Sequence, residues 1–270
     1  MSFGMVEGDG MTSSSASIDA FHKGGFYLKQ PKNMGHRAGI DAMLLASLVS
    51  EQANGRLADL GAGAGAAGIA VAYRSEVKAT LFEASPIMAD YARKTLELDQ
   101  NQNFAQRCDV IQADVELSGQ ARVAAGFEDN AYEHVIMNPP FNEAGDRMAP
   151  DALKAQAHAM SGDDLFEKWI KTAAAISKPQ GQLSLIARPS SIHKILSACE
   201  GRFGGIEVTG VLPLQNDNAI RILVTGIKGS KARLIIRPSL IMHEGEHDGA
   251  RKYTKRADDL INGRTFLARS

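Results

Sequence analysis

The chain has 270 residues, 44% apolar and 23% charged, enough to build a sizeable core in one large α/β domain. A net charge of −1 excludes a global basic field, so any nucleic-acid partner must be met by a local patch. No apolar run approaches a membrane span, and Cys108 and Cys199 are isolated, without metal or disulfide spacing, which predicts a reduced, cytoplasmic setting.

In chain order, residues 1–17 are polar and rich in small side chains, and predict a flexible tail ahead of a single domain over 18–270. The Gly- and Lys-rich stretch FHKGGFYLKQPKNMGHRAG predicts irregular structure, and IDAMLLASLVSEQ an amphipathic helix. RLADLG predicts a short strand entering a glycine turn, AAGIAVAYRS a helix and KATLFE the next strand. Pro86 stands where a first-turn proline belongs and opens a further helix. RCDVIQAD and YEHVIMN predict two more strands, and the segment between them reads both ways. DDLFEKWIKTAAAISK predicts a helix stopping at Pro179, followed by a strand GQLSLIAR, a helix SSIHKILSACE, and strands IEVTGVL and ILVTGIKG. Strands alternating with helices imply βαβ units, a mostly parallel sheet, and ligands at the carboxyl ends of its strands.

Three turns fall at that edge. DLGAGAGAAG contains Gly63-x-Gly65-x-x-Gly68 between a strand and a helix, a pattern that fits a plain βα turn, a dinucleotide site or another nucleotide cofactor. Asp59 at the strand end disfavours a pyrophosphate and favours a cationic ligand. Glu83 ends the second strand, where a carboxylate accepts both hydroxyls of a ribose. Asp114 ends the third and suits an exocyclic adenine amine. The fourth strand runs straight into Asn138-Pro139-Pro140-Phe141. A conjugated amine needs acceptors for its N–H bonds before its nitrogen can attack. The Asn138 side-chain oxygen and the Pro139 carbonyl supply two, the prolines add no N–H, and Phe141 offers a stacking face. HEGEH, residues 243–247, matches the zinc-protease helix signature, but its glycines predict a metal-free surface loop.

Together these residues resemble the class I S-adenosylmethionine-dependent methyltransferases of the amino-nitrogen type. Within that class the chain is similar to the tRNA adenine-N6-methyltransferases that modify the anticodon loop of a valine tRNA. The resemblance implies a Rossmann-like sheet of seven strands, mostly parallel, with helices on both faces. It implies S-adenosyl-L-methionine as cofactor, no metal and an RNA substrate. Asp59, Gly61, Gly63 and Gly65 would form the cofactor loop, Glu83 the ribose contact, Asp114 the adenine contact and Asn138, Pro139, Pro140 and Phe141 the catalytic turn, with Asn138 also beside the cofactor. In this family a lead segment covers the methionine end of the cofactor, which implies roles for Gln30, Gly35, Arg37 and Asp41. The same Asn-Pro-Pro chemistry serves enzymes acting on ribosomal guanine N2, DNA adenine or a protein glutamine. An NAD(P)-dependent oxidoreductase is the competing class. Candidate phosphate contacts are Lys228, Lys231, Arg233 and Arg237, and Arg251, Lys252, Lys255 and Arg256.

Overall fold

The computed structural model describes residues 16–32, 39–140, 164–245 and 252–269. An antiparallel hairpin, β1 (Ala16–Phe21) and β2 (Phe26–Pro31), precedes helix α1 (Ile40–Ala46). Strands β3 (Arg56–Leu60), β4 (Lys78–Glu83), β5 (Cys108–Gln112) and β6 (Tyr132–Met137) follow. Between them lie α2 (Ala66–Arg74), α3 (Pro86–Leu96), α4 (Gln102–Ala105) and α5 (Gly119–Ala124). Helix α6 (Leu165–Ile176) leads into β7 (Ser177–Ala187), and α7 (Ile192–Cys199) into β8 (Phe203–Leu212), β9 (Arg221–Lys228) and β10 (Ile235–Ile241). A short ribbon, β11 (His243–Glu244) with β12 (Lys252–Tyr253), precedes helix α8 (Lys255–Ile261).

The central sheet has eight strands in the order β10-β8-β9-β7-β6-β3-β4-β5. Only β9 runs against the others, pairing antiparallel with β7 and β8. Side chains alternate between two buried layers, as the two-residue period of a strand requires. Leu57, Leu81, Ile136, Ile186 and Leu223 face α1, α2, α8 and the hairpin. Ala58, Phe82, Val135, Met137 and Leu185 face α6 and α7. Both faces are therefore covered, and β3 and β6 sit at the centre.

The structure departs from the sequence-based expectations at four places. The first part of the stretch read as irregular, through Pro31, belongs to the hairpin, which begins at Ala16 and so takes in two residues assigned to the tail. Residues 33–38 of that stretch lie outside the described residues. Helix α1 stops at Ala46, where the Ser47 hydroxyl turns back onto the Leu44 carbonyl at 2.7 Å. Helix α6 passes into β7 without a loop, and Pro179 lies in a register shift where Gln180 takes a positive φ of 63°. The sheet gains an eighth strand, β10, along the free side of β8, with its own register shift between Arg237 and Leu240.

The hairpin is held by a side chain far along the chain. Asn101 is fully buried; its Oδ1 accepts the Tyr27 N–H at 3.0 Å, and its Nδ2 donates to the carbonyls of Tyr27 and Thr95. The Thr95 hydroxyl accepts the Lys29 N–H at 3.0 Å. Asn101→Ala strands buried backbone groups and should cost about 2–3 kcal/mol of stability in urea denaturation. A loss below about 0.5 kcal/mol would mean that water replaces the amide without penalty.

Candidate functional site

The register of the parallel strands aligns the turns. Leu60 lies opposite Phe82 on one side and Met137 on the other, and Glu83 lies opposite Gln112. The residues that follow therefore emerge side by side, in the order Asn138, Gly61, Glu83, Asp114. With strands about 4.8 Å apart, three intervals span about 15 Å, room for an extended nucleoside cofactor across the edge.

The glycine turn is built for close approach. Gly61 has φ of 70°, and its N–H and that of Ala62 both donate to the Phe82 carbonyl. A Cβ on Gly61 would stand 2.5 Å from Cη2 of Trp169, so a side chain is excluded by packing as well as by backbone conformation. Gly68 serves a different purpose: any Cβ there would collide with Leu81 and crowd Asp59 where α2 lies on β3 and β4.

Glu83 bridges two turns. Its Oε2 accepts the Gly63 N–H and its Oε1 the Ser85 N–H, both at 2.8 Å. The Ala84 N–H is a third backbone donor to it, and the acceptor capacity that remains is open to a ribose hydroxyl. Burial raises its pKa and the bonded amides pull it back. Asp114 is exposed two residues beyond β5, and its Oδ1 accepts the Glu116 N–H at 2.8 Å in a turn that fixes the carboxylate outward.

Asp59 does not open onto the edge as a direct charge partner. It is 2% exposed, and its Oδ2 accepts the Gly68 N–H at 2.8 Å, bracing α2 against β3. Burial pushes its carboxyl up to about 7 despite that amide, with the Glu83 charge adding to the rise.

Asn138 has its Oδ1 shielded from solvent and without a hydrogen-bond partner. Pro139 is buried behind it and Pro140 is half-buried. Phe141, Gly35 and Arg37 lie outside the described residues. Gln30 is 2% exposed and donates to Asp19 across the hairpin at 2.7 Å. Asp41 pairs with Arg221 at 2.8 Å, tying the start of α1 to the start of β9. Its carboxylate is thus engaged by a cation of the chain itself.

The basic clusters separate. Lys228 ends the antiparallel strand opposite Phe203, at the amino edge of the sheet, and bonds Asn130 and the Ser177 carbonyl. Lys231 and Arg233 follow on that same edge, and Arg237 pairs with Glu207 at 3.5 Å. Lys228, Lys231 and Arg233 thus lie at the edge opposite the one that carries Asn138, and Arg237 lies midway along β10. The second group is on the correct edge, because Met242 and His243 bond the Leu212 and Pro213 carbonyls at the end of β8. Within it Lys252 and Arg256 are exposed, Lys255 pairs with Asp259, and Arg251 lies outside the described residues. His243 and Glu244 stand in β11, and His243 stacks on Tyr253 at 4.8 Å. Glu246 and His247 lie outside the described residues, and the described start of the segment is strand rather than helix. Among the described residues no three His, Cys, Asp or Glu side chains gather to hold a metal.

Sequence reasoning missed Trp169 and Arg221. A lone tryptophan at helical spacing reads as ordinary core, and its contact with Gly61 carries no local signal.

Asp59 gives the site a pH signature. A carboxyl protonated in the folded state up to about pH 7 but ionised from about pH 4 when unfolded makes stability fall as pH rises between those values. Asp59→Asn keeps an acceptor for Gly68 and removes the titration. In cofactor-free urea denaturation at pH 4.5 and pH 8, the variant should gain stability relative to the parent as pH rises. Parallel curves at both pH values would show that Asp59 is already ionised in the fold.

The profile of the methyltransferase small domain matches residues 36–210. A tRNA1(Val) (adenine(37)-N6)-methyltransferase from a Shewanella species is 26% identical over 196 residues, 71% of this chain and 77% of its own. A crystal structure from Agrobacterium tumefaciens, described as a predicted O-methyltransferase, is 49% identical. It superposes with a TM-score of 0.73 over 85% of this chain and 99% of its own. A T. thermophilus 16S rRNA N2 methyltransferase, solved with AdoMet and guanosine, shares the fold at 18% identity, with a TM-score of 0.53 over 79% of this chain and 50% of its own. No helix among the described residues is long and apolar enough to cross a membrane. The chain belongs to the methyltransferase small domain family, as an S-adenosylmethionine-dependent methyltransferase on a class I Rossmann-like sheet.

Proposed function

We propose that this enzyme methylates an exocyclic amine, adenine N6 of a tRNA, with residues 18–270 acting as one catalytic unit in the cytoplasm. The observation that carries the reading is the Asn138 side-chain oxygen, a shielded acceptor without a partner, followed by two prolines that present no N–H. Bound S-adenosylmethionine supplies an electrophilic methyl group. The chain supplies orientation, and alignment of reactants is worth about 7–11 kcal/mol. Asn138 Oδ1 and the Pro139 carbonyl accept the two N–H bonds of the amine and draw its lone pair out of conjugation. A neutral asparagine suffices, because the nitrogen loses its proton only after it has been alkylated. Phe141 stacks on the base, which leaves its helix more cheaply in an anticodon loop than in a duplex.

The cofactor contacts proposed here are Gly61, Gly63 and Gly65 in the turn, Glu83 on the ribose and Asp114 on the adenine. Asp59 acts behind the turn, and Asp41 through its pair with Arg221. The identity to a tRNA adenine-N6 enzyme supports the substrate class. Ribosomal guanine N2 and a protein glutamine fit the same acceptors and form the second reading. Oxygen methylation, suggested by the description of the Agrobacterium relative, fits less well. A hydroxyl needs a base, and the two acceptors of this turn, the Asn138 side-chain oxygen and the Pro139 carbonyl, are neutral.

The deciding measurement is mass spectrometry of modified nucleosides in bulk tRNA from cells lacking the protein, with loss of N6-methyladenosine expected. An unchanged tRNA profile would eliminate the tRNA assignment. For the mechanism, Asn138→Ala should slow single-turnover methylation by roughly 10²–10³, the scale for one preorganised polar partner, while cofactor affinity changes little. Parent-rate turnover in that variant would reduce the Asn-Pro-Pro segment to a turn. Phe141→Ala should weaken RNA engagement by about 1–3 kcal/mol, and Phe141→Tyr should preserve it.

A further inference from the structure

Helix α6 lies behind two of the three cofactor turns. Trp169, the single tryptophan of the chain, is 2% exposed and sets its six-membered ring under Gly61. One turn of helix further on, the Thr172 hydroxyl donates to the Val115 carbonyl at 2.8 Å. Next to the tryptophan, Lys168 pairs with Glu116 at 2.7 Å. Glu116 in turn donates its N–H to Asp114. One helix therefore touches the turn after β3 and the segment after β5, the two ends of the cleft that brackets Glu83.

The fit under Gly61 leaves no slack. A Cβ at that position would stand 2.5 Å from Cη2, 3.0 Å from Cζ3 and 3.6 Å from Cζ2 of the indole. Close-packed interiors transmit such displacements rather than absorb them. In addition, the indole Nε1–H is buried without a hydrogen-bond partner. A buried donor left unpaired is unfavourable and calls for an explanation beyond packing, since a phenylalanine would fill apolar space without that penalty.

We propose that Trp169 is a positioning residue for methyl transfer. Its indole sets the height of the Gly61 turn, and α6 couples that turn to the Asp114 segment, so the two ends of the cofactor cleft move as one. When the cofactor is bound, the turn settles against the ring and the buried N–H gains its acceptor. Trp169 touches neither cofactor nor substrate and acts only through Gly61. The cofactor-binding part of this inference stands on the family's activity alone; its rate measurement rests on the amine-transfer reading.

The test uses the full chain and S-adenosylhomocysteine as the probe. Because the protein has one tryptophan, its emission reports this contact without labelling, and saturating ligand should shift that emission. Trp169→Phe keeps an apolar ring and removes the N–H. It should weaken S-adenosylhomocysteine binding by about three- to tenfold and slow single turnover by about tenfold, leaving the KM for tRNA within about twofold. Gly61→Ala should cost affinity in the parent and distinctly less in the Trp169→Phe background, where the smaller ring yields to the new methyl. Emission indifferent to ligand, or a Gly61→Ala penalty identical in both backgrounds, would overturn the proposal. A parent protein that shifts its emission with ligand but methylates no tRNA supports this inference while refuting the substrate assignment.

Discussion

The carboxylate of Glu83 is the tie on which the site depends. It ends β4, yet it holds the N–H of Gly63 in the turn after β3 as well as that of Ser85 in its own. Two adjacent strand ends are thereby fixed at one separation by charge-assisted hydrogen bonds, the stronger kind. The Ala113 N–H adds the third strand by bonding the Glu83 carbonyl at 3.1 Å. The glycine turn has three residues at positive φ in five positions, and to the Gly61 and Ala62 bonds on the Phe82 carbonyl this tie adds an anchor at Gly63. With it, the turn is organised before any ligand arrives, and binding need not supply the ordering entropy.

Beneath that tie the chain divides the work between two faces of the sheet. Asp59 and Gly68 brace α2 from one side, and Trp169 supports Gly61 from the other. Asn138 stands one strand over, in register with Gly61 through the Leu60–Met137 pair. The reacting groups therefore hang from the centre of the sheet, where strands are covered on both faces. The ordinary surface chemistry of the protein is kept at the periphery.

Much of this could be read from the sequence, and the reasons are local. The turns after Leu60 and Phe82 announce themselves through glycines and Pro86, and the strand before Asn138 ends at two prolines. What escaped reading depends on distant partners. The hairpin strands alternate over only six residues each, around a Gly- and Lys-rich turn, and their anchor is Asn101, 74 residues beyond Tyr27. Strand β10 is mostly exposed, so it lacks the buried period that marks a strand. The orientation of Asp59 was accessible in principle: it shares a strand face with Leu57, and that face is covered by α2. The strand-end position suggested a ligand contact, whereas the alternation places it inside. Lys228, Lys231 and Arg233 lie at the amino edge for a topological reason, since the antiparallel course of β9 ends there.

The eighth strand has a consequence for how these molecules behave in a crowd. A sheet edge with free peptide groups invites another strand, and β10 exposes Ile235 and Ile236 along such an edge. The hazard is countered within the same strand. Pro238 lacks an N–H, the ladder slips between Arg237 and Leu240, and Arg233 and Arg237 bracket the apolar pair with charge. The sheet can thus carry an extra strand of poor local pattern while its last edge resists templating the next.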